Sequence, residues 1–206
     1  MSRDKGRQYI ILGAGGHAAV IADILYCRGD SLRGFLDDSI DVGTEVLGAR
    51  VIGKLHDCDI YGDCVFIIGI GDNNKRKKIA EKYKFNYGLA IHPSAIVGHE
   101  VEIGCGTVVM AGSIINSRTV VGSHCIINTK ASIDHDNSLG DYVHISPGAT
   151  LGGTVQIGSV THIGIGVCVK NNISVHDNVI VGAGAVVVSD IVEHGTYVGV
   201  PARRIK

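Results

Sequence analysis

The sequence predicts a small α/β domain followed by a long parallel β-helix. Branched aliphatic residues recur at every sixth position from Val97 to Val187. Ahead of them, short apolar segments alternate with glycine turns and helical segments. The composition supports the same prediction, with 29 glycines, no tryptophan and only 5% aromatic residues. Because large aromatic side chains usually fill a globular core, this composition suits a core built from many thin, similar layers.

The six-residue period is the strongest pattern in the chain. It fits neither a 3.6-residue helix nor a simple alternating strand. We expect each hexapeptide to form a short strand and a turn, with the aliphatic inward and the following Gly or Asn at a positive-φ corner. Three hexapeptides close a coil, so residues 18 apart stack about 4.8 Å apart. The sixteen aliphatics are Val97, Ile103, Val109, Ile115, Val121, Ile127, Ile133, Leu139, Ile145, Leu151, Ile157, Ile163, Val169, Val175, Val181 and Val187.

Residues 1–94 form the predicted front domain, and residues 95–206 form the β-helix with a C-terminal cap. The front domain contains strand-like segments at 9–12, 31–38 and 65–73, so we expect a small parallel sheet with helices. Glycines at 13, 15 and 16 follow the first strand, and Asp37 comes about 20 residues later, as in a dinucleotide fingerprint. The segment has room for about half of such a fold, which favours a nucleotide-linked sugar over NAD. A tight turn without a ligand is the alternative.

Charge and cysteine usage exclude several classes of protein. The net charge of −1 and the lack of a long basic block argue against nucleic-acid binding. KRKK at 75–78 is expected on the solvated face of a short helix. The six cysteines show no metal-ligand spacing, and no apolar run is long enough to cross a membrane. We therefore expect a cytoplasmic protein with reduced thiols.

The stretch IDHD at 133–136 places His135 beside Asp136 in the middle of the repeat. An imidazole can take a proton near neutral pH, and an adjacent carboxylate stabilises the imidazolium. Gly153 lies one coil above His135, so the amide of Gly152 or Gly153 is a candidate oxyanion donor.

Two further outward positions are predicted from the same register. His144 precedes an inward aliphatic, so its ring should point outward, with His162 one coil above it. The apolar residues Val101, Val108, Val143 and Val179 are also expected outside, where an oligomer would bury them.

The chain resembles one bacterial family along nearly its whole length, through GAGGHA at 13–18, FLDD at 35–38, IGDNNKR at 70–76, HD at 135–136, His144 and GVPARRI at 199–205. This family comprises nucleotide-aminosugar N-acetyltransferases and sialic acid O-acetyltransferases. The resemblance implies a left-handed β-helix and a homotrimer with active sites between subunits. It also implies acetyl-CoA as co-substrate, a nucleotide-linked 4-amino-4,6-dideoxy sugar as acceptor, and a role in surface glycan biosynthesis.

The resemblance also assigns roles to individual residues. His135 would be the general base and Asp136 its acidic partner, although some relatives carry Glu at that position. The acetyl-CoA contacts would be His144, Ile165 and Ala183. The nucleotide-sugar contacts would be Gly15, Gly16, His17, Asp37, Asp38 and Gly71. No metal is implied.

Three other functions stay open at this stage. The same base could serve O-acetylation of sialic acid or another sugar hydroxyl. A zinc enzyme of the carbonic-anhydrase type would need two histidines five residues apart, and none of the ten histidines are so spaced. A purely structural β-helix would have no need for a charged pair in mid-prism. The sequence does not identify the nucleotide, the sugar or the acyl group.

Overall fold

A computed structural model describes residues 8–206. Its front part is a five-stranded sheet in the order β3-β4-β2-β1-β5, in which β1 runs parallel to β2 and β5. The predicted strand, glycine turn and helix order is confirmed, whereas β3, β4 and the 3-10 helix have no counterpart in the sequence prediction. The elements are β1 (Gln8–Leu12), α1 (Gly16–Arg28), β2 (Ser31–Leu36), β3 (Glu45–Val46), β4 (Ala49–Gly53), a 3-10 helix (Leu55–Tyr61), β5 (Val65–Ile68) and α2 (Asn73–Lys82).

The rest of the chain is a parallel β-helix of very short strands. Its first strand lies at 90–91, where it already pairs with residues 108–109 of the next coil. The strands are β6 (Ala90–Ile91), β7 (Ile96–Val97), β8 (Glu102–Ile103), β9 (Val108–Val109), β10 (Ile114–Ile115), β11 (Val120–Val121), β12 (Ile126–Ile127), β13 (Ser132–Ile133), β14 (Ser138–Leu139), β15 (His144–Ile145), β16 (Thr150–Leu151), β17 (Gln156–Ile157), β18 (His162–Ile163), β19 (Cys168–Val169), β20 (Ser174–Val175), β21 (Val179–Val181), β22 (Val186–Val187), β23 (Gly195–Val198) and β24 (Arg203–Arg204).

The strands stack into three faces with the expected 18-residue register, as in the pairing of Ile115 with Ile133. The first face is called the covered face because the front domain packs on it. It contains β6, β9, β12, β15, β18 and β21, and β23 and β24 extend it at the C-terminal end. The second face contains β7, β10, β13, β16, β19 and β22, and the third face contains β8, β11, β14, β17 and β20. The sixth-position aliphatics from Val109 to Val187 are buried in one continuous core, as predicted.

The corner prediction is wrong in one detail. Positive φ falls three residues after each aliphatic from Val97 to Val181, for example at Asp136 (φ 58°), and not at the glycine directly after it. That glycine is needed for a different reason, because a Cβ on Gly104 would lie 2.5 Å from the amide nitrogen of Ser123 in the next coil. Glycine there permits close stacking of successive coils.

The outward valines are also placed differently from the prediction. Val143 and Val179 are fully buried inside the β-helix core, and Val101 packs against that core. Val108 is buried against the front domain. These four residues therefore do not face a partner subunit, since the chain buries or covers them itself.

The front domain packs on the covered face. Ile21 and Leu25 of α1 share one hydrophobic cluster with Val108 and Ile126 of the β-helix. The side chain of Asn73 donates to the main-chain oxygens of residues 160 and 161, 3.0 and 3.1 Å away. This junction fixes the glycine turn of the front domain against one side of the prism.

Arg76 is part of the same junction, although KRKK was expected to be solvated. Its side chain is 1% exposed, because the helix turns this residue toward the β-helix. Its guanidinium donates to main-chain oxygens of both parts of the chain, including His124 at 2.7 Å and Tyr142 at 2.9 Å. No helix within residues 8–206 has the length and apolar character needed to cross a membrane.

Candidate active site

The His135–Asp136 pair lies at the corner between the second and third faces. His135 Nδ1 is 2.6 Å from Asp136 Oδ2, so the ring proton belongs on Nδ1 and the lone pair is on Nε2. The main-chain N–H of His135 donates to the Asp134 carboxylate at 2.8 Å, which fixes the backbone under the ring. About half of the His135 side chain is exposed, at 51%. An accessible, oriented imidazole of this kind can act as a general base.

Asp136 is held from below by Arg118, a residue that the sequence interpretation did not single out. The guanidinium donates from Nε to Oδ1 at 2.7 Å and from Nη2 to Oδ2 at 2.9 Å. The Arg118 contact, together with the hydrogen bond to His135, lowers the pKa of Asp136 to about 2. The carboxylate therefore stays ionised beside the ring. The signal was available in the sequence, because 118 and 136 are one coil apart.

Gly153 lies directly above the His135 ring, as the 18-residue register predicts. A Cβ at Gly153 would lie 2.7 Å from Cε1 and 2.8 Å from Nε2 of the ring, so only glycine leaves room for it. A groove of about 550 Å³ opens beside this contact, and Lys170, Asn171 and Gly152 are among its lining residues. His135 therefore faces a space large enough for part of a small-molecule ligand.

The predicted nucleotide-sugar residues gather at the carboxyl ends of β1, β2 and β5. Gly15 and Gly16 open α1, are exposed, and have open space where a Cβ would stand. Asp37 accepts from the amide of Ala14 in the glycine turn at 2.8 Å. This edge of a parallel sheet, with a glycine turn at a helix N-terminus, is where α/β domains bind nucleotides.

The two aspartates at this edge also have structural contacts. Asp37 Oδ1 accepts from the amides of Ser39 and Ile40, at 2.7 and 2.9 Å. Burial alone would raise the pKa of Asp37, but these hydrogen bonds outweigh it and lower the pKa. Asp38 Oδ1 accepts from the amide of Leu55 at 2.9 Å, at the start of the 3-10 helix. Both side chains thus hold the backbone at this edge of the sheet through hydrogen bonds from main-chain amides.

His144 points outward on the covered face, as predicted, and its ring stacks on His162 with centroids 4.6 Å apart. Its Nε2 lies 3.1 Å from the Asn128 side-chain nitrogen. Burial, then the charges of His162, Arg76 and His17, lower the pKa of His144 to about 3. Within residues 8–206, its buried Nδ1 and the buried Nε2 of His17 have no hydrogen-bond partner.

Ile165 and Ala183 lie one coil apart at the corner between the covered and second faces. Both are exposed, and the amide of the residue after Ala183 donates to the Ile165 oxygen at 2.8 Å. His135 lies at the other edge of the second face. Two of the three candidate acetyl-CoA contacts, Ile165 and Ala183, therefore lie across the second face from His135, whereas His144 lies on the covered face.

In the part of the chain that the structure describes, no group of three His, Cys, Asp or Glu residues could hold a metal ion.

Comparisons with known proteins agree with this geometry. Residues 8–83 match the family model described as the PglD N-terminal domain. The chain is 41% identical over 110 residues to the UDP-N-acetylbacillosamine N-acetyltransferase of Bacillus subtilis. That segment covers 49% of this chain and 50% of the Bacillus protein, so the match spans about half of the length of that relative.

Two groups of solved structures match over the whole fold. The acetyltransferase domain of PglB from Neisseria gonorrhoeae has a TM-score of 0.92 at 36% identity, covering 97% of this chain and 100% of that one. PerB from Caulobacter crescentus, in complex with CoA and GDP-perosamine, has a TM-score of 0.91 at 36% identity and full coverage of both chains.

The β-helix of hexapeptide repeats, together with these matches, identifies the chain as a hexapeptide-repeat acyltransferase. The matches narrow the class further. The chain belongs to the family of nucleotide-linked amino-sugar N-acetyltransferases that includes PerB and the PglB acetyltransferase domain.

Proposed function

We propose that this protein transfers the acetyl group of acetyl-CoA to the amino group of a nucleotide-linked 4-amino-4,6-dideoxy sugar, with His135 as general base. The 2.6 Å contact between His135 Nδ1 and Asp136 carries this proposal, because it leaves Nε2 free to take a proton. Relatives with the same fold support the substrates, since PerB binds CoA and GDP-perosamine. The product would enter surface glycan biosynthesis in the cytoplasm.

The chemistry requires a base because a sugar amine is mostly protonated near neutral pH. The ammonium form loses its extra proton to water before attack. His135 Nε2 accepts a proton from the amine as its nitrogen attacks the thioester carbonyl. Asp136 stabilises the imidazolium that forms. The tetrahedral intermediate then collapses, the C–S bond breaks, and the proton on His135 Nε2 passes to the departing sulfur, so CoA leaves as the thiol and the imidazole is regenerated.

The oxyanion of that intermediate needs a hydrogen-bond donor. The amide of Gly153 is the candidate, since Gly153 packs against the His135 ring and its amide donates no hydrogen bond within the described residues. The Gly152 amide is already used, because it donates to the oxygen of Val169 at 2.9 Å. The structure thus favours Gly153 over Gly152 for this role.

The positions of the candidate contacts favour an assembly of several chains. The front domain covers one face, while His135 and the corner of Ile165 and Ala183 flank the second face, where Ile96 is 60% exposed. Threefold packing through the second face would bring the base of one chain to the acetyl-CoA contacts of its neighbour. Light scattering should then give about three times the 21.6 kDa chain mass.

Acetyl transfer is tested with purified protein, acetyl-CoA and a panel of UDP-, dTDP-, GDP- and CMP-linked amino sugars, following release of CoA thiol. We expect turnover with one amino sugar and a loss of about 10² to 10⁴ in kcat for His135→Ala, because general-base help has that size. His176→Ala is the matched control, since His176 is also exposed on the β-helix and, among residues 8–206, its ring contacts the main-chain oxygen of Asp177 and no carboxylate.

The chemical alternative is O-acetylation of sialic acid or another sugar hydroxyl. Turnover of sialic acid, with none for any amino sugar, would establish that alternative. An undiminished rate for assembled His135→Ala protein would remove His135 from the mechanism altogether.

A further inference from the structure

The guanidinium of Arg118 makes a bidentate contact with the carboxylate of Asp136, which is the acidic partner of His135. Its Nε and Nη2 reach both oxygens of Asp136, and Oδ2 is also the atom that contacts His135 Nδ1. A planar guanidinium bound to both oxygens fixes the plane of a carboxylate, which a single hydrogen bond does not. The three side chains therefore form a chain of contacts running from Arg118 to the ring.

The fold itself places Arg118 under Asp136. Both occupy the positive-φ position of their hexapeptides, with φ of 59° and 58°, and they are one coil apart. The same corner column contains Glu100 below and Thr154 above, with φ of 57° and 59°. Side chains of one column project in parallel, so an arginine can bind a carboxylate one coil away.

We propose that Arg118 is a positioning residue for acetyl transfer: it holds the Asp136 carboxylate so that Oδ2 faces His135 and the ring presents Nε2 to the groove. The inference rests on the proposed role of His135 as base. Asp136 is short and its side chain is 35% exposed, so without the arginine its carboxylate is free to rotate toward water. Preorganising it lowers the cost of reaching the reactive geometry.

Other charged groups at this corner do not replace Arg118. Asp134 accepts from the His135 amide and from the Asn116 side chain, at 2.8 and 3.0 Å, so it holds the backbone and not the ring. Glu100 lies one coil below Arg118 and, among the described residues, acts on it only through its charge.

An exposed ion pair stabilises a fold very little. The Arg118 side chain is 56% exposed, so losing it should leave assembly and melting temperature nearly unchanged. A purely structural role would show the reverse, a lowered melting temperature with normal kinetics per folded molecule. The two roles are therefore separable by experiment.

The test variant is Arg118→Asn, because asparagine tolerates positive φ and so removes the guanidinium without straining the backbone. We expect kcat to fall about tenfold, with the KM of both substrates within about twofold of the wild type. The kcat of Arg118→Lys should lie between those of Arg118→Asn and the wild type, since lysine keeps the positive charge but cannot bind the carboxylate in a bidentate manner. Glu100→Asn is the matched control, made in the same column, and should keep wild-type kcat.

A crystal structure of Arg118→Asn without substrates tests the positioning independently of any activity. We expect the Asp136 carboxylate to leave the His135 ring and the ring to adopt more than one orientation. An unchanged 2.6 Å contact, or wild-type kcat, would overturn the role of Arg118. If wild-type protein acetylates no sugar while the variant's ring is disordered, the proposed function fails and the positioning stands.

Discussion

At the scale of single residues, Gly153 sets the position of the His135 ring. A Cβ there would lie 2.7 Å from ring atom Cε1, closer than carbon atoms approach without one of them moving. The ring is half exposed and can shift, so the cost of Gly153→Ala falls on its orientation and not on folding.

We predict that Gly153→Ala lowers kcat at least about tenfold, because the displaced ring loses its alignment with Asp136. Steady-state kinetics with thermal melting checks this, and the melting temperature should change little. Gly62→Ala is the control, since its φ is −60° and the nearest atom to an added Cβ is 3.8 Å away. Equal kcat for the two variants would show that the ring does not depend on this contact.

Residue-scale contacts could be predicted from the sequence only where the repeat register reaches them. Adding 18 to His135 gives Gly153, and subtracting 18 from Asp136 gives Arg118, so both contacts were encoded in the numbering. The burial of Arg76 could not be predicted, because its hydrogen-bond acceptors are mostly main-chain oxygens, which have no sequence signature. Because Arg76 stands among lysines in KRKK, the sequence interpretation treated it as another solvent-exposed charge.

At the scale of elements, α2 joins the front domain to the β-helix through Arg76. The guanidinium makes five hydrogen bonds, to the oxygens of Ile70, Gly71, His124 and Tyr142 and to the Asn73 side chain. Burial lowers the pKa of Arg76 to about 10, so the group stays charged at neutral pH. The carbonyl dipoles of both parts of the chain take the place of a carboxylate partner.

Arg76→Met is predicted to destabilise the protein by about 3 kcal/mol, because buried carbonyl oxygens on both sides of the junction lose their donor. Urea denaturation measures this change. Lys78→Met is the matched control on the same helix, since Lys78 is exposed, and should fall within about 0.5 kcal/mol of the wild type. A similar small loss for Arg76→Met would show that water replaces the guanidinium.

The six-residue repeat explains which parts of the β-helix could be predicted from the sequence. The aliphatic period fixed the β-helix because every coil repeats the same packing, so one pattern applies sixteen times. The valines at 143 and 179 were assigned outside because only the sixth-position aliphatics were assigned to the core. In the structure each hexapeptide also buries the residue two before its aliphatic, since the strands are only two residues long and the chain bends at both ends.

At the scale of the whole molecule, the junction between the front domain and the β-helix contains several buried neutral histidines. Burial, then the charge of Arg76, lowers the pKa of both His17 and His124 to about 4. His144 lies in the same region, with its pKa lowered to about 3 mainly by burial. Each of these rings has a buried nitrogen without a partner among residues 8–206. Protonation would place positive charges beside a buried arginine.

These shifts predict that the protein loses stability as pH falls from 6.5 toward 4. Above 6.5 the histidines are neutral in both states, and their contribution to stability is fully present. Below 6.5 the unfolded chain binds protons that the folded chain excludes, so unfolding gains up to about 1.4 kcal/mol per histidine per pH unit. Thermal melts across this range should show a steady fall in melting temperature that begins well before carboxylates titrate.

His124→Phe should flatten the dependence of melting temperature on pH, because the ring keeps its place near Tyr87 and Tyr142 but no longer titrates. The exposed-site control His176→Phe should leave the slope as it is, and equal slopes for both variants would show that the junction does not sense pH.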